Sequence, residues 1–293
     1  MNAKEVARAK VNLTLEILGR RPDGYHEVSS LVLFADVGDV VSYDVSKSYG
    51  LEIIGPFATE LTTDNLIHKA VDYMQRKFRG LECGAFKLEK FLPVAAGLGG
   101  GSANAAAALN LIADAHNLEL SPELIVDIAF EIGADVPVCL VSAASHMTGI
   151  GEQVAPLAKP LAPLSAVLVN PGIALSTAEV FAALDADNIS QNSKKAESSD
   201  LASLVGKAAR PEDIVRIARH GTNSLQSAAE KLRPEIKIVI EALEHQENCL
   251  LARMTGSGMT VFGLFRDVSS ANSAMECIRS RHPDWWVRSV VLS

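Results

Sequence analysis

The sequence predicts an α+β fold with two domains, and three observations lead to this prediction. The first hundred residues contain several short segments in which apolar and polar side chains alternate, as they do in half-buried strands. A glycine-rich loop then runs into an alanine-rich helix, and the second half of the chain is more helical. Prolines 156, 160 and 163 cluster after this helix, so we divide the chain into domains at 1–157 and 158–293.

Size and composition favour a soluble globular protein. The chain has 293 residues, enough for two ordinary domains, and is 48% hydrophobic and 21% charged. Its formal net charge of −8 disfavours partners such as nucleic acid or an anionic membrane, because few cations would neutralise their phosphates. The amino terminus has no secretory signal pattern, so we expect a cytoplasmic protein. We expect that it binds neither nucleic acid nor a membrane.

Cysteine spacing gives no sign of a disulfide framework or a thiolate metal site. The four cysteines are scattered without a CxxC pair, and the seven histidines show no HExxH pattern. Residues 94–115 are low in charge, but their glycines and polar side chains argue against a membrane span. We therefore predict no metal ligands from the sequence.

Periodicity predicts the elements in order. Alternation predicts strands at residues 9–18, 29–34, 39–44, 51–54 and 86–91. Helical spacing predicts a helix at residues 65–77, with Thr63 or Asp64 available as its cap, and a second helix at 121–132 that Ser121 caps. Further strands are expected at 166–170 and 260–265, and residues 185–200 are interpreted as a mobile surface loop.

The glycine loop at residues 97–102 is a candidate phosphate site. Consecutive glycines allow backbone N–H groups to converge, and the helix predicted at 103–114 adds partial positive charge at its amino end. It lacks the GK[ST] ending of a Walker loop, and the strand before it alternates, unlike the buried strand of a dinucleotide fingerprint. A flexible turn before a packed alanine helix is the alternative interpretation.

Four polar side chains have both a structural and a chemical interpretation. Asp135 lies in an apolar run and is either a cap or buried hydrogen-bonded group, or a base. Lys10 is either a solvated strand residue or a residue with a role in the site. Tyr25 and His26 either pack on the surface or stack on a pyrimidine and bond its edge.

Several motifs carry a family resemblance. The segment PVAAGLGGGSANAA resembles the central motif of the galactokinase–homoserine kinase–mevalonate kinase–phosphomevalonate kinase (GHMP) superfamily, and RMTGSGM is similar to its C-terminal glycine motif. Five further segments resemble the branch that phosphorylates 4-diphosphocytidyl-2-C-methyl-D-erythritol: AKVNLTLEILGRRPDGYHEVSSL, DNLIHKA, GADVPVCL, GIGE and NPGIALST. Ala95, Ala96 and Ala103 depart from the common pattern, and Ala103 removes one hydroxyl that could contact phosphate.

The resemblance implies a two-domain GHMP-kinase fold with the active site between its halves. The N-terminal half should contain a left-handed βαβ crossover. The C-terminal half should be ferredoxin-like, with strands at 250–254, 261–265 and 287–292 and a helix at 271–281. The implied reaction is transfer of phosphate from ATP to the C2 hydroxyl, in the non-mevalonate route to isoprenoid precursors. Alternatives are another GHMP kinase, for homoserine or mevalonate, the superfamily's diphosphomevalonate decarboxylase, and a non-catalytic nucleotide-binding protein.

The resemblance also implies roles for individual residues. Asp135 would be the catalytic base, and Lys10 would contact both this base and the acceptor oxygen, stabilising a developing alkoxide. The small-molecule substrate would contact Asn12, Tyr25, His26 and Thr177. ATP, which brings Mg²⁺ with it, would lie against Asn65, Lys90, Pro93, Gly97, Leu98, Gly99, Gly100, Gly101, Ser102 and Ala103. Lys90 could equally be an exposed edge residue. We expect a monomer or weak homodimer.

Overall fold

The computed structural model describes residues 2–61, 65–158, 161–190 and 210–293, and they form two sheets with helices. No helix in these four ranges is long and apolar enough to cross a membrane. The α+β class predicted from the sequence is confirmed.

The N-terminal sheet is organised around one long strand, β3. Its strands are β1 (Asn2–Asn12), β2 (Glu16–Arg20), β3 (His26–Asp44), β4 (Gly50–Ile54), β5 (Ala85–Glu89), β6 (Ser145–Gly149) and β7 (Gln153–Pro156). Strand β3 pairs antiparallel with β1, β2, β5 and β6, and β4 pairs parallel with β5. The helix between β4 and β5 makes these two strands the βαβ unit of this half.

Two strand boundaries differ from the prediction. The expected strand at 9–18 is divided between β1 and β2, and the expected strands at 29–34 and 39–44 form one continuous strand. Gly38, between the two expected strands, lies where the β1–β3 register shifts, and a Cβ there would be 2.2 Å from the Ala7 carbonyl oxygen. The glycine therefore allows close strand approach at a bulge rather than ending a strand.

Helix α1 (Leu66–Lys77) follows the helical spacing of the sequence, but its cap was predicted wrongly. Asn65 is the N-cap, and its side-chain oxygen accepts a hydrogen bond of 2.9 Å from the Ile67 amide. Thr63 and Asp64 lie outside the described residues. The buried side chains of α1 pack against the next helix and fix the βαβ unit onto the sheet.

Helix α2 (Gly100–His116) begins three residues earlier than expected. Gly99 is its N-cap in a left-handed conformation, so Gly100, Gly101 and Ser102 belong to the first helical turn. Its alanines up to Ala113 are buried because strand β1 and helices α1 and α4 (Val136–Val141) all pack on it, and small side chains permit this close approach. Helix α3 (Pro122–Glu131) is capped by Ser121, as predicted.

The C-terminal sheet has the strand order of a ferredoxin-like unit. Its strands are β8 (Leu164–Asn170), β9 (Cys249–Met254), β10 (Val261–Phe265) and β11 (Trp286–Leu292), arranged β11-β8-β10-β9 with every neighbour antiparallel. This is the order 4-1-3-2 of a βαββαβ motif. The helices are α5 (Thr177–Ser190), α6 (Pro211–His220), α7 (Gln226–Leu232), α8 (Glu235–Glu244) and α9 (Val268–Arg281).

The prediction of a loop at 185–200 is wrong for residues 185–190, because α5 continues to Ser190. The remainder of that loop, from residue 191 onward, lies outside the described residues. Asp185 is part of α5 and has a partner in the N-terminal half.

Strand β3 joins the two sheets. Phe34 and Ser293 exchange two backbone hydrogen bonds of 3.0 Å, next to the single β3–β11 pair of Ala35 and Leu292. The Arg8 guanidinium donates to the carbonyl oxygens of Phe34 and Ala35 at 2.9 and 3.0 Å, and to the Ser293 hydroxyl at 2.7 Å. Strand β1 is thereby fixed against the C-terminal half two residues before Lys10.

Candidate active site

A cavity opens between the two sheets where the glycine loop, β1, α4 and the C-terminal half meet. It is lined by Lys10, Leu61, Leu66, Lys90, residues 93–97 and 99–102, Asp135, Thr177, Gly256 and Ser257. Other openings among the described residues include a groove on helices α1 and α3, lined mostly by charged side chains, and one on the β1–β5 face, lined by charged and apolar side chains. Only the first combines a helix amino terminus, a glycine loop and paired charged groups, so it is the candidate active site among the described residues.

The glycine loop lies directly over two lysines. A Cβ on Gly99, which has φ +63°, would be 3.0 Å from Lys10 Cε, and one on Gly100 would be 3.3 Å from Lys90 Nζ. The Lys10 amide also donates to the Leu98 carbonyl oxygen at 2.8 Å, which ties the loop to β1. The first-turn amides of the 17-residue helix α2 have no partner within the helix and face this cavity with a partial positive charge.

The glycine loop interlocks with a glycine turn from the C-terminal half. A Cβ on Gly97 would be 2.5 Å from the Thr255 carbonyl oxygen, and one on Gly256 would be 2.6 Å from the Gly97 oxygen. A Cβ on Gly258 would be 2.3 Å from the Gly97 nitrogen. The two backbones are therefore in direct contact, and the shape of the phosphate loop depends on a turn about 160 residues away in the chain.

Substitution of Gly258 by alanine is expected to damage nucleotide binding. Each atom close to the added Cβ is backbone and cannot rotate away, so the glycine loop must move. We expect KM for ATP to rise at least about tenfold and stability to fall by about 1–3 kcal/mol. Initial rates at varied ATP and thermal unfolding measure both effects.

Gly19→Ala is the matched control for Gly258→Ala, since a Cβ at Gly19 meets no atom within 4 Å and neither glycine has a positive φ. An unchanged KM for ATP in Gly258→Ala would show that the contact between the two turns does not shape the nucleotide site.

Lys10 and Asp135 form an ion pair at the base of the cavity. Lys10 Nζ lies 3.0 Å from Asp135 Oδ1, although 125 residues separate them. The Lys10 side chain is 4% exposed, whereas that of Asp135 is 37% exposed, so the carboxylate is the member that a bound molecule can reach. Asp135 occupies the N-cap position before a short helix, as the structural interpretation expected, but its side chain makes no capping hydrogen bond.

Asn12 holds Lys10 in place. Its side-chain oxygen accepts from Lys10 Nζ at 3.1 Å, and its amide group donates to the Ser30 hydroxyl at 2.8 Å. The Asn12 backbone amide donates to Thr255 Oγ1 at 2.8 Å, which links β1 to the C-terminal glycine turn. Asn12 is 1% exposed, so the structure places it behind Lys10 rather than on the cavity surface.

The residues expected to contact nucleotide are close together, but some line the cavity and others are buried behind it. Lys90 and Pro93 line the cavity with the loop glycines and Ser102, whereas Leu98 and Ala103 are buried beneath them. Asn65 is 7% exposed and caps α1. Lys90 is 2% exposed and ion-paired with Asp39, so the alternative of an exposed edge lysine is wrong. Ser102, at the third helical position, does not act as the cap.

A second group of side chains surrounds His26. Its Nε2 lies 2.7 Å from Asp185 Oδ1, and its ring centroid is 4.8 Å from that of Phe181. Both partners come from α5, and the Tyr25 side chain beside them is exposed. His26 thus contacts the C-terminal half, whereas Tyr25 is exposed on the surface.

Sequence reasoning missed several residues of the site. Ser257 Oγ lies 2.7 Å from Thr177 Oγ1 across the cavity, and Leu61 and Leu66 form an apolar wall. Phe181 and Asp39 were also unassigned. The position of Ser257 between two glycines was a usable signal, whereas the leucines resemble ordinary core residues in the sequence.

Comparisons with known proteins agree with this geometry. Residues 65–143 match the family model described as GHMP kinases N terminal domain, and residues 202–284 match GHMP kinases C terminal. A 4-diphosphocytidyl-2-C-methyl-D-erythritol kinase of Rhodopseudomonas palustris (strain BisB18) is 43% identical over 98% of this chain and 94% of its own. A kinase of the same name from Bradyrhizobium diazoefficiens is 43% identical over 99% of this chain and 97% of its own.

Solved structures give the same result. A 4-(cytidine 5'-diphospho)-2C-methyl-D-erythritol kinase superposes with a TM-score of 0.76 at 29% identity, and 99% of each chain is covered. The homoserine kinase of Cytophaga hutchinsonii superposes with a TM-score of 0.70 at 19% identity over 99% of this chain and 95% of its own, which shows the shared fold. The chain therefore belongs to the 4-diphosphocytidyl-2-C-methyl-D-erythritol kinase family, a branch of the GHMP kinases.

Proposed function

We infer that this chain is an ATP-dependent kinase that phosphorylates 4-diphosphocytidyl-2-C-methyl-D-erythritol, a step in isoprenoid-precursor synthesis. We further propose that the acceptor is the C2 hydroxyl, that Mg²⁺ accompanies ATP and that the enzyme acts in the cytoplasm. The observation that carries the chemistry is the Lys10–Asp135 pair, which faces the glycine loop across the cavity.

In the proposed mechanism, Asp135 takes the proton of the acceptor hydroxyl. The hydroxyl oxygen then forms a bond to the γ-phosphorus of ATP while the bond from that phosphorus to the β,γ-bridging oxygen breaks, and ADP leaves. Lys10 stabilises the negative charge that develops on the attacking oxygen. The amide groups of the first turn of α2 hold the phosphate chain, so that the reacting atoms are aligned.

The site fits an Mg²⁺ ion that the nucleotide brings. Within the described residues, no group of three or more His, Cys, Asp or Glu side chains is arranged to hold a metal ion. Asp135 is already paired with Lys10, and Ser102 offers a neutral hydroxyl on the cavity surface. We propose that ATP phosphate oxygens and water would supply most ligands of the ion, that Ser102 would be the protein group beside it, and that the ion would neutralise charge on the transferred group.

We propose that the His26 region binds the cytosine. His26 offers hydrogen-bonding groups, and the exposed Tyr25 ring and the Phe181 ring supply the flat apolar surfaces on which a pyrimidine stacks. Asp185 bonds to Nε2 of His26 and orients its ring. In this arrangement Thr177, which lines the cavity near Asp135, contacts the methylerythritol unit.

A substrate panel tests this function. We expect ADP release with ATP and Mg²⁺ only when 4-diphosphocytidyl-2-C-methyl-D-erythritol is present. The same alcohol without its cytidylyl group, homoserine and mevalonate should give rates lower by at least about 100-fold, because they have no cytosine to bind in the His26 region. Phosphorus NMR of the product identifies the esterified carbon.

Turnover of homoserine or mevalonate at comparable rates would support the proposed kinase activity but refute the proposed cytosine site. Release of CO₂ would indicate a decarboxylase. ADP binding without turnover of any of these alcohols would favour a non-catalytic nucleotide-binding protein.

A further inference from the structure

A buried ion pair lies beneath the start of α2. Lys90 is 2% exposed and Asp39 is fully buried, and Lys90 Nζ donates to Asp39 Oδ2. The other oxygen of Asp39 accepts from the backbone amides of Phe91 and Leu92, at 2.7 and 2.8 Å. All three donors come from consecutive residues, so one carboxylate fixes the segment that leads into Pro93 and the glycine loop.

The pair is in contact with the nucleotide side of the cavity. A Cβ on Gly100, the first residue of α2, would be 3.3 Å from Lys90 Nζ and 3.7 Å from Asp39 Oδ2. Lys90 lines the cavity together with Leu61 and Leu66. The Lys10–Asp135 pair is a separate ion pair, so the two lysines have different partners.

Stability alone is a weak reason for a buried pair of charges. Removing both ions from water costs several kcal/mol, and their attraction offsets this only partly. Burial lowers the pKa of Lys90, whereas the charges of Asp39 and Glu60 raise it. Asp39 comes from β3 and Glu60 from the short helical turn at Ala58–Glu60. Asp39 therefore helps to keep an ammonium in a position where burial favours the neutral amine.

We propose that Asp39 is a positioning residue for nucleotide binding, which fixes the Lys90 ammonium against the first turn of α2 where it attracts the phosphates of ATP and ADP. This inference deepens the proposed function, since it assumes that the nucleotide occupies this cavity. It predicts that Asp39 affects nucleotide affinity and has little effect on KM for the acceptor.

Calorimetric titration of the full chain with ADP and Mg²⁺ between pH 7 and pH 9.5 tests the proposal without any acceptor. The variants are Asp39→Asn, Lys90→Met and the double variant. Asp44→Asn is the matched control, because this carboxylate lies on the same strand and its partners within the described part of the chain are Ser46 and Lys47 at the surface. Wild-type binding confirms the nucleotide site independently of the acceptor.

We expect Asp39→Asn to bind ADP about tenfold more weakly at pH 7, the effect of a weakened charge-assisted contact. Without the Asp39 charge the pKa of Lys90 falls further, so Lys90 loses its proton at a lower pH than in the wild type. Affinity of Asp39→Asn should therefore decline further as the pH rises, and the decline should begin at a lower pH than in the wild type. Lys90→Met should be weak at every pH.

Other outcomes would contradict the proposal. If Asp39→Asn binds ADP with the wild-type affinity and pH profile, Asp39 does not position Lys90 for the nucleotide. Equal losses in stability, kcat and both KM values, with no change in the pH profile, would assign Asp39 a purely structural role. If Asp39→Asn does not fold, the double variant lacks both charges of this pair, and wild-type ADP affinity in that protein would refute the proposal.

Discussion

Replacing Asp135 by asparagine is expected to reduce kcat by about 10³-fold or more while leaving ADP binding intact. Asparagine keeps the size of the side chain but cannot take a proton from the acceptor hydroxyl. The side chain makes no capping bond to α4, so its replacement does not weaken that helix. Rapid-quench measurement of product formation gives the rate, and calorimetric titration with ADP gives the binding.

Asp127→Asn is the matched control for Asp135→Asn. Asp127 is another aspartate of the N-terminal half, and its side chain is 52% exposed and pairs with Lys77 at the surface. It should keep the wild-type rate. If Asp135→Asn retains more than about a tenth of wild-type kcat, Asp135 positions groups in the site but is not the base.

Lys10→Met is expected to lower kcat by about 10²- to 10³-fold, because it removes the cation that stabilises charge on the attacking oxygen. Methionine fills much of the same space beneath Gly99, so the glycine loop should keep its shape. The KM for ATP should change less than kcat. Lys4→Met on the same strand is the matched control, since Lys4 is 60% exposed and pairs only weakly, with Glu89 at 3.8 Å.

The double variant Lys10→Met/Asp135→Asn distinguishes a joint function from two separate ones. If the two groups act as a unit, the double variant should be little slower than Asp135→Asn alone. Losses that multiply would mean that Lys10 acts independently of Asp135, for example on the phosphates of the nucleotide.

Local chemistry made part of this protein predictable. The glycine loop, the Ser121 cap and the alternation of the strands each depend on nearby residues, so they were identified from the sequence. The bounds of the strands were less accurate, since the first strand begins at Asn2 rather than at residue 9 and two predicted strands form one. The resemblance proposed that Lys10 and Asp135 act together, and the structure brings them within 3.0 Å. Periodicity could not have shown this, since the two residues are 125 positions apart.

Features that depend on long-range pairing could not be predicted from local patterns. Lys90 follows an alternating strand and could have been exposed, and its burial is explained only by Asp39, 51 residues earlier. The strands expected at 29–34 and 39–44 form one strand in which Gly38 leaves room for the backbone of β1, a contact that no local pattern shows. In the same way, the ring contact and the hydrogen bond of His26 depend on Phe181 and Asp185, which lie on α5 in the other half of the chain.

The contact between the two glycine turns limits how this enzyme can be recombined with its relatives. Gly97 on one side and Gly256 and Gly258 on the other each leave room for the backbone opposite, so each turn is complementary only to a partner of matching shape. A chimera that joins the first half of this chain to the second half of a distant GHMP kinase would contain both halves of the fold. It would lack a correctly shaped phosphate loop unless both turns came from the same parent, so the two turns are expected to evolve as a single unit.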